Sequence, residues 1–420
     1  MATKTTIQAV KGTRDFYPEA MAFRNWLYGQ VRSISESFGY QEWEAPLLER
    51  QELYAAKSGE ELVKENFVLK DRGGDELALR PELTPSLARM IAQRQGSLNL
   101  PIRWFSYGPF WRYERPQRGR TREFFQWNID LIGSDSPNAD GEIISIAAMF
   151  LRNVGLTAGE VAIHVNSRQL MDQKLAEIGV AAGRRLDVFH LVDRRDKMPP
   201  EEWDAWAVDL GLSAGQLASL KVLMDSAELW RESDELCQVF AIAKAFGVAD
   251  YLLYDAGIVR GLDYYTGPVF EAYDRARQFR AILGGGRYDN LVAAVGGDRI
   301  AATGFAMGDA VIEVLLDHFD RRPSLPASPT RVLVTLFGQE FFTPTLALAA
   351  RLRLAGINTE QVLEPDKLGK QIRYADRKGI PYALILGPDE LAAGQVVIKT
   401  LATGEQVTCS EEEAIQRLKA

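Results

Sequence analysis

The sequence predicts an α+β domain built on an antiparallel sheet flanked by helices, interrupted by a helical insertion and followed by a small α/β domain with a mixed sheet. Three observations carry this. Strand-like segments follow one another through residues 40–133 with few helices between them, the pattern of antiparallel rather than crossover connections. From about 169 to 246 the apolar period turns helical. Then comes Arg321-Arg322-Pro323-Ser324-Leu325-Pro326-Ala327-Ser328-Pro329, whose prolines suit neither a helix nor a central strand. Beyond it strand and helix alternate to the end. The expected organisation is a domain at 1–325 with its insertion at about 169–246, a linker at 321–329 and a tail at 330–420.

The first element is an amphipathic helix. Phe23, Trp26, Leu27, Val31, Ile34 and Phe38 recur at spacings of three and four, and Gly39 stops it. Strands are expected at Tyr40–Pro46, Phe67–Lys70, Glu76–Arg80, Ile102–Tyr113 and Glu123–Gly133, with Thr84 as N-cap of the helix after the third of them. Strand character returns at Tyr251–Tyr254 and Tyr264–Tyr273, followed by a glycine-rich turn at 284–286 and a helix from about Gly308. In the tail, strands are expected at Arg331–Phe337, Asn358–Leu363 and Tyr382–Leu386. A hairpin follows, formed by Gln395–Leu401 and Glu405–Cys409. Helices are expected at Thr343–Ala355, Lys367–Lys378 and Glu411–Leu418, the last with acidic residues at the favourable end of its dipole.

Composition bounds what such a chain can do. At 420 residues with 46% hydrophobic and 25% charged residues, it is neither disordered, collagen-like nor a small disulfide scaffold. A net charge of −8 excludes a uniformly basic nucleic-acid coat but not a local basic patch. Cys237 and Cys409 lie too far apart for a Cys-x-x-Cys site and suit a reducing compartment. His164, His190 and His318 are equally scattered, so a histidine-rich zinc site is not expected. The N-terminal residues carry no apolar stretch, and the longest apolar run, Ile143–Leu151, falls short of the roughly 18–20 residues of a membrane span. No membrane association and a cytoplasmic location are expected.

The densest chemical signal runs from Phe110 to Gln126. Arg112, Arg115, Arg118, Arg120 and Arg122 fall within eleven residues, at a strand end, in a Pro/Gly loop and at the start of the returning strand. Arginine offers a permanent charge and a planar donor fork suited to phosphate. An acidic protein that gathers arginine on one hairpin either faces a polyanion there or carries a solvated, salt-bridged hairpin. On the returning strand, a period of two puts Phe124, Gln126, Asn128 and Asp130 on one face and Phe125, Trp127, Ile129 and Leu131 on the other. A polar row directly after the arginine loop reads as a pocket wall. Three further stretches carry polar residues: Leu79-Arg80-Pro81-Glu82-Leu83-Thr84-Pro85, where Glu82 by itself reads as an exposed loop carboxylate; Val259-Arg260-Gly261-Leu262-Asp263-Tyr264-Tyr265-Thr266-Gly267, either an arginine on flexible backbone that reaches a phosphate or a tight turn with aromatic packing; and Leu283-Gly284-Gly285-Gly286-Arg287-Tyr288-Asp289. The last lacks the Gly-Lys-Ser/Thr ending of a P-loop and the spacing of a dinucleotide fingerprint. Its glycines read as close backbone approach to a flat ligand, or as a bulge. In the tail, Lys367, Lys370, Arg373 and Arg377 form one basic stripe, either a solvated face or a track for a nucleic-acid backbone.

In this order, with an α/β tail behind them, the four stretches resemble the histidyl-tRNA synthetases, a family of class II aminoacyl-tRNA synthetases. Arg260-Gly261-Leu262-Asp263-Tyr264-Tyr265 looks like that family's histidine signature, and Arg112 through Gln126 like the second class motif. Glu44-Ala45-Pro46-Leu47-Leu48 looks like the first motif, and Arg80-Pro81-Glu82-Leu83-Thr84 like a substrate loop. The resemblance implies that L-histidine is activated with ATP and Mg²⁺ to histidyl-adenylate and passed to the 3′-terminal ribose of tRNA(His). It implies that Arg112 and Arg260 are catalytic, approaching the α-phosphate from opposite sides, with Arg120 and Arg122 on the outer phosphates of ATP. Glu82, Thr84 and Gln126 would hold the amino end of histidine. Asp130 and Tyr265 would read the imidazole nitrogens, with Tyr264 and Tyr288 alongside. Arg115, Gln117 and Arg118 would meet the acceptor end of the tRNA, and Lys367, Lys370, Arg373 and Arg377 its anticodon end. No metal ligand is expected from protein side chains, Mg²⁺ arriving on ATP, and a homodimer is expected through the Pro46 region. Two positions depart from the family pattern. Asp130 stands where many members have glutamate. In Gly304-Phe305-Ala306-Met307-Gly308-Asp309-Ala310-Val311, Val311 stands where the third motif carries an arginine for ATP. The altered third motif leaves an alternative: a non-catalytic, histidine-sensing paralogue like the regulatory subunit of ATP phosphoribosyltransferase.

Overall fold

A computed structural model describes residues 7–55, 65–117, 119–259 and 265–419. The chain divides into two compact units, with Leu27–Arg322 in the first and Pro323–Ala420 together with Phe16–Trp26 in the second.

In chain order, the strands of the first unit are β1 (Gln41–Glu42), β2 (Leu48–Arg50), β3 (Phe67–Lys70), β4 (Glu76–Leu79), β5 (Ile102–Trp111) and β6 (Glu123–Ile132). They continue with β7 (Val161–Ser167), β8 (Leu252–Tyr254), β9 (Pro268–Asp274), β10 (Leu283–Arg287) and β11 (Ala302–Gly308). Eight of these form one sheet in the order β1-β5-β6-β11-β10-β9-β7-β8. Its interior is antiparallel; only the edge pairs β1–β5 and β7–β8 are parallel. β2, β4 and β3 make a separate small antiparallel sheet. The long β5–β6 hairpin follows from the two-residue period of its sequence: Phe125, Trp127, Ile129 and Leu131 are all buried, and Trp127 packs edge-on against Phe305 at 4.7 Å.

Between β7 and β8 the regular structure of the described residues is helical, from Arg168–Glu177 to Asp234–Ala245. The last of these helices lies against the helix Pro137–Asn153, where Gly141 admits Ile242: a Cβ there would come within 2.6 Å of that side chain.

Three expectations are corrected. Leu283–Arg287 is not a turn but the central strand β10, hydrogen-bonded to β9 and β11. Its glycines are there because the neighbours sit too close for side chains: a Cβ on Gly286 would lie 2.6 Å from the carbonyl of Pro268 and 2.9 Å from the Tyr265 ring. Thr84 is not an N-cap; it is the first residue of the helix Thr84–Arg94, which Leu83 precedes without a side-chain cap. The strand expected from Tyr40 to Pro46 shrinks to Gln41–Glu42; the Trp43 amide still donates to Phe105 on β5 at 2.9 Å, and beyond it the chain turns to β2. The start of the strand expected from Tyr264 falls outside the described residues, and β9 begins at Pro268.

The second unit carries β12 (Val332–Val334), β13 (Thr359–Gln361), β14 (Tyr382–Ile385), β15 (Gln395–Thr400) and β16 (Gln406–Ser410) in the order β13-β12-β14-β15-β16. Its sheet is mixed, β12 running parallel to β13 and β14, and β15 antiparallel to β14 and β16. One face is covered by the helices Phe342–Leu354 and Glu411–Lys419 through Leu348, Leu352, Ala414 and Leu418. The other is covered by the helix Leu368–Arg377 through Ala375. The short helix Pro388–Ala393 has no counterpart in the sequence reading. Among the described residues no helix is long and apolar enough to cross a membrane.

Candidate active site

The polar face of β6 opens on a cavity of about 170 Å³. Glu82, Thr84, Arg112, Gln126, Asp130, Tyr265 and Tyr288 all line it, although the chain brings them from five separate stretches. The sheet register explains the convergence. Gln126 stands between Gly108 on β5 and Gly308 on β11, and Asp130 between Trp104 and Gly304. Side chains from β6 therefore rise through a floor kept low by glycines on its neighbours.

Each wall is held from behind. Arg112 leaves the end of β5, donates from Nε to the carbonyl of Pro81 at 2.9 Å, and lies over the Phe124 ring at 5.2 Å. Those contacts fix the plane of its guanidinium. Tyr288 donates to Asp130 Oδ1. Its neighbour Arg287 is bonded to Asp140 at 3.0 and 2.6 Å and to the carbonyls of Ser134 and Ser136 at 2.9 and 3.0 Å. Burial raises the Asp140 carboxyl, an effect the Arg287 cation opposes. Burial also pushes Asp130 up to about 7, against the lowering hydrogen bond from Tyr288. A carboxyl poised there can present either a donor or an acceptor to a ligand ring.

The arginine hairpin is tied into the fold around this cavity. Arg120 pairs with Glu114 and lies 3.9 Å from Glu65. Arg122 donates to the carbonyls of Glu114 at 3.1 Å and Lys11 at 3.4 Å and stacks on Tyr113 at 4.0 Å, so its guanidinium faces the N-terminal segment rather than the cavity. Arg115 and Gln117 are exposed at the turn, which Gln117 and Arg120 close by mutual backbone bonds at 2.9 Å. Arg118, Arg260 and Tyr264 lie outside the described residues.

In the second unit, Lys370, Arg373 and Arg377 line a groove of about 1290 Å³ that also carries Glu360, Glu364, Asp366 and Asp376. Lys367 is exposed just before this helix, outside the groove lining. Among the described residues, no group of three or more His, Cys, Asp or Glu side chains is placed to hold a metal ion.

A family model described as histidyl-tRNA synthetase matches residues 12–310, and one described as an anticodon-binding domain matches residues 331–420. The chain belongs to the histidyl-tRNA synthetase family. It is 38% identical over 413 residues to the chloroplastic/mitochondrial histidine–tRNA ligase of Arabidopsis thaliana, an alignment covering 96% of this chain and 85% of that protein. It is 39% identical over 413 residues to the histidine–tRNA ligase of Thermoplasma volcanium, covering 95% of each. In fold it is similar to histidyl-tRNA synthetase from Nostoc sp. PCC 7120, with a TM-score of 0.86 and 24% identity over 99% of both chains. The apo enzyme of S. aureus gives 0.75 and 23%, covering 99% of this chain and 100% of that one.

Compared with the class motifs of histidyl-tRNA synthetases, the third motif has a structural reading here. Asp309 opens the helix Asp309–His318, accepts from the Phe125 amide at 3.0 Å and pairs with Arg14 at 2.7 Å, so it ties this helix to β6. Val311 is buried under the hairpin; a Cβ on Gly119 would lie 3.6 Å from it. Val311 lines a small cavity of about 170 Å³ together with Gly119, Phe279 and Arg280. Asn128, Gly284, Gly304, Phe305 and Ala306 also line the cavity. The strand period signalled Asn128. The glycine-rich stretch signalled Gly284, as a close backbone approach to a ligand, whereas Gly304, Phe305 and Ala306 become visible only when β11 is placed beside β6.

Proposed function

We propose that the protein is a histidine–tRNA ligase that activates L-histidine with ATP and transfers it to the 3′-terminal ribose of tRNA(His). The single observation that carries this reading is the convergence of Glu82, Thr84, Arg112, Gln126, Asp130, Tyr265 and Tyr288 on one cavity. In the first step a histidine carboxylate oxygen attacks the α-phosphorus and pyrophosphate departs. In the second, a ribose hydroxyl attacks the histidyl carbonyl and AMP departs. Both steps gather negative charge around fixed points, and preorganised cations in a water-poor site stabilise it. Arg112 is the cation aimed there from β5, with Arg260 assigned to the opposite side. Glu82 and Thr84 accept from the α-ammonium group. Asp130, Tyr265 and Tyr288 surround the imidazole and reject side chains that would leave these buried groups unpaired. Arg120 would lie beside the outer phosphates of ATP, whose charge a magnesium ion carried by the nucleotide would help to neutralise.

We assign the exposed residues Arg115 and Gln117, with Arg118, to the acceptor end of tRNA(His), and the tail groove to its anticodon end. A chain with Lys370→Gln, Arg373→Gln and Arg377→Gln together is expected to keep histidine-dependent pyrophosphate exchange. Its kcat/KM for tRNA in aminoacylation should fall roughly tenfold or more, with a shallower salt dependence, since about one released counterion per phosphate contact is lost. Unchanged tRNA kinetics would move anticodon-end binding elsewhere. A homodimer fits the exposed Leu47 and Leu48 beside Pro46, at 42% and 39% exposure; sedimentation equilibrium separates it from a monomer.

A further inference from the structure

We infer that Arg80, clamped by Glu44, is a positioning residue for the histidine-binding side of the site: it sets where the loop carrying Glu82 and Thr84 sits and how Arg112 is turned. This rests on the ligase reading.

Arg80 is completely buried, whereas its partner Glu44 is 51% exposed, so the pair runs from the interior to the surface. Every nitrogen of the guanidinium is engaged. Nε donates to the carbonyl of Pro109 at 2.9 Å, Nη1 to Glu44 and to the carbonyl of Ala45 at 3.1 Å, and Nη2 to the second Glu44 oxygen at 3.3 Å. The plane lies over the Phe110 ring at 4.5 Å. The backbone is held as well: the Arg80 amide donates to Leu47 at 3.0 Å, and the Trp111 amide donates to the Arg80 carbonyl at 3.0 Å. One residue thereby locks together the segment 44–47, the end of β5 and the start of the loop.

The next four residues of the chain build the cavity wall. The Pro81 carbonyl takes the Nε donor of Arg112, Glu82 lines the cavity, Leu83 is buried, and Thr84 lines the cavity again. Three ligand-facing groups thus take their position from one buried cation. The Arg80 guanidinium itself is sealed from water, so on its side the bonds to Pro109, Ala45 and Glu44 have no solvent substitute. Arg120, the cation assigned to the outer phosphates, is anchored separately, on Glu114 and Glu65. A fault in the Arg80 clamp therefore reaches the histidine side and spares the outer-phosphate side.

The experiment is steady-state pyrophosphate exchange with the full-length protein and its Glu44→Gln, Glu44→Asp and Arg80→Lys variants, together with histidine binding by calorimetry and melting curves. Glu44→Gln keeps shape and removes the countercharge. Its kcat/KM for histidine is expected to fall roughly ten- to a hundredfold, the cost of a site held slightly out of place. The KM for ATP should stay within about twofold. Glu44→Asp, which keeps the charge, should recover much of the loss. Arg80→Lys loses the fork and should do at least as badly as Glu44→Gln; if it does not fold, Glu44→Gln carries the test. Unchanged histidine kinetics in folded Glu44→Gln would overturn the inference. So would equal rises in both KM values alongside a lowered melting temperature, which describe a merely structural pair. Failure of the ligase reading looks different: the unmodified protein would give no exchange at all. Calorimetric histidine affinity, weakened or not in Glu44→Gln, would still decide the role of Arg80.

Discussion

Arg112→Ala is expected to lower the rate of histidine-dependent pyrophosphate exchange by roughly two to three orders of magnitude, the usual cost of deleting one preorganised charge-stabilising donor. The proposed contact with the α-phosphate accounts for so large an effect. The guanidinium does not wander from the end of β5: its Nε is spent on the Pro81 carbonyl and its face on Phe124. A cation already aimed costs no reorganisation as charge builds up at phosphorus. Because its contact strengthens in the transition state, the rate should fall more than the affinity for histidine. Arg112→Lys keeps the charge but loses the planar fork and the Nε anchor, so it should recover little. A near-normal exchange rate in Arg112→Ala would remove this residue from the chemistry.

Asp130→Asn is expected to weaken histidine binding about a hundredfold, because an amide replaces the charged acceptor that the buried ring would meet. The same variant has a pH signature. The folded carboxyl sits at about 7, raised by burial from the ordinary aspartate value near 3.9. A raised acid favours the protonated fold. Its stabilising contribution is fully present below about pH 4 and is lost as pH rises through about 7. The melting temperature of the ligand-free protein should therefore carry a downward component between those limits that Asp130→Asn lacks. Identical pH slopes for the two proteins would place the Asp130 carboxyl in an ordinary solvated setting. Unchanged histidine affinity would mean that the ring is read elsewhere.

Much of the architecture was legible in the residues because it depends on periodicity. The two-residue alternation of Phe124 to Leu131 predicted both the buried and the polar face of β6, and the tail elements fall within a few residues of their expected limits. β10 was not legible. Three consecutive glycines carry no apolar period; pairing with β9 and β11 makes them a strand, and Pro268, Tyr265 and Phe305 crowd out side chains at Gly285 and Gly286. Thr84 misled for a related reason: its type suits an N-cap, but the buried Leu83 and Pro85 set the helix start, and Thr84 lines the cavity instead. In the site, residue types that bear chemistry were found from spacing and resemblance. The Arg80–Glu44 clamp and the Asp309–Phe125 tie were not, because each joins positions far apart in the chain.

The central claim, that this cavity forms histidyl-adenylate, is tested most directly by ATP–pyrophosphate exchange measured without tRNA against a panel of amino acids. The account predicts exchange with histidine and with no other amino acid, and hence that Val311 is tolerated in the third motif. Absence of exchange with histidine, while calorimetry still shows histidine binding, would contradict it and identify a histidine-sensing protein that has kept the pocket and lost the reaction.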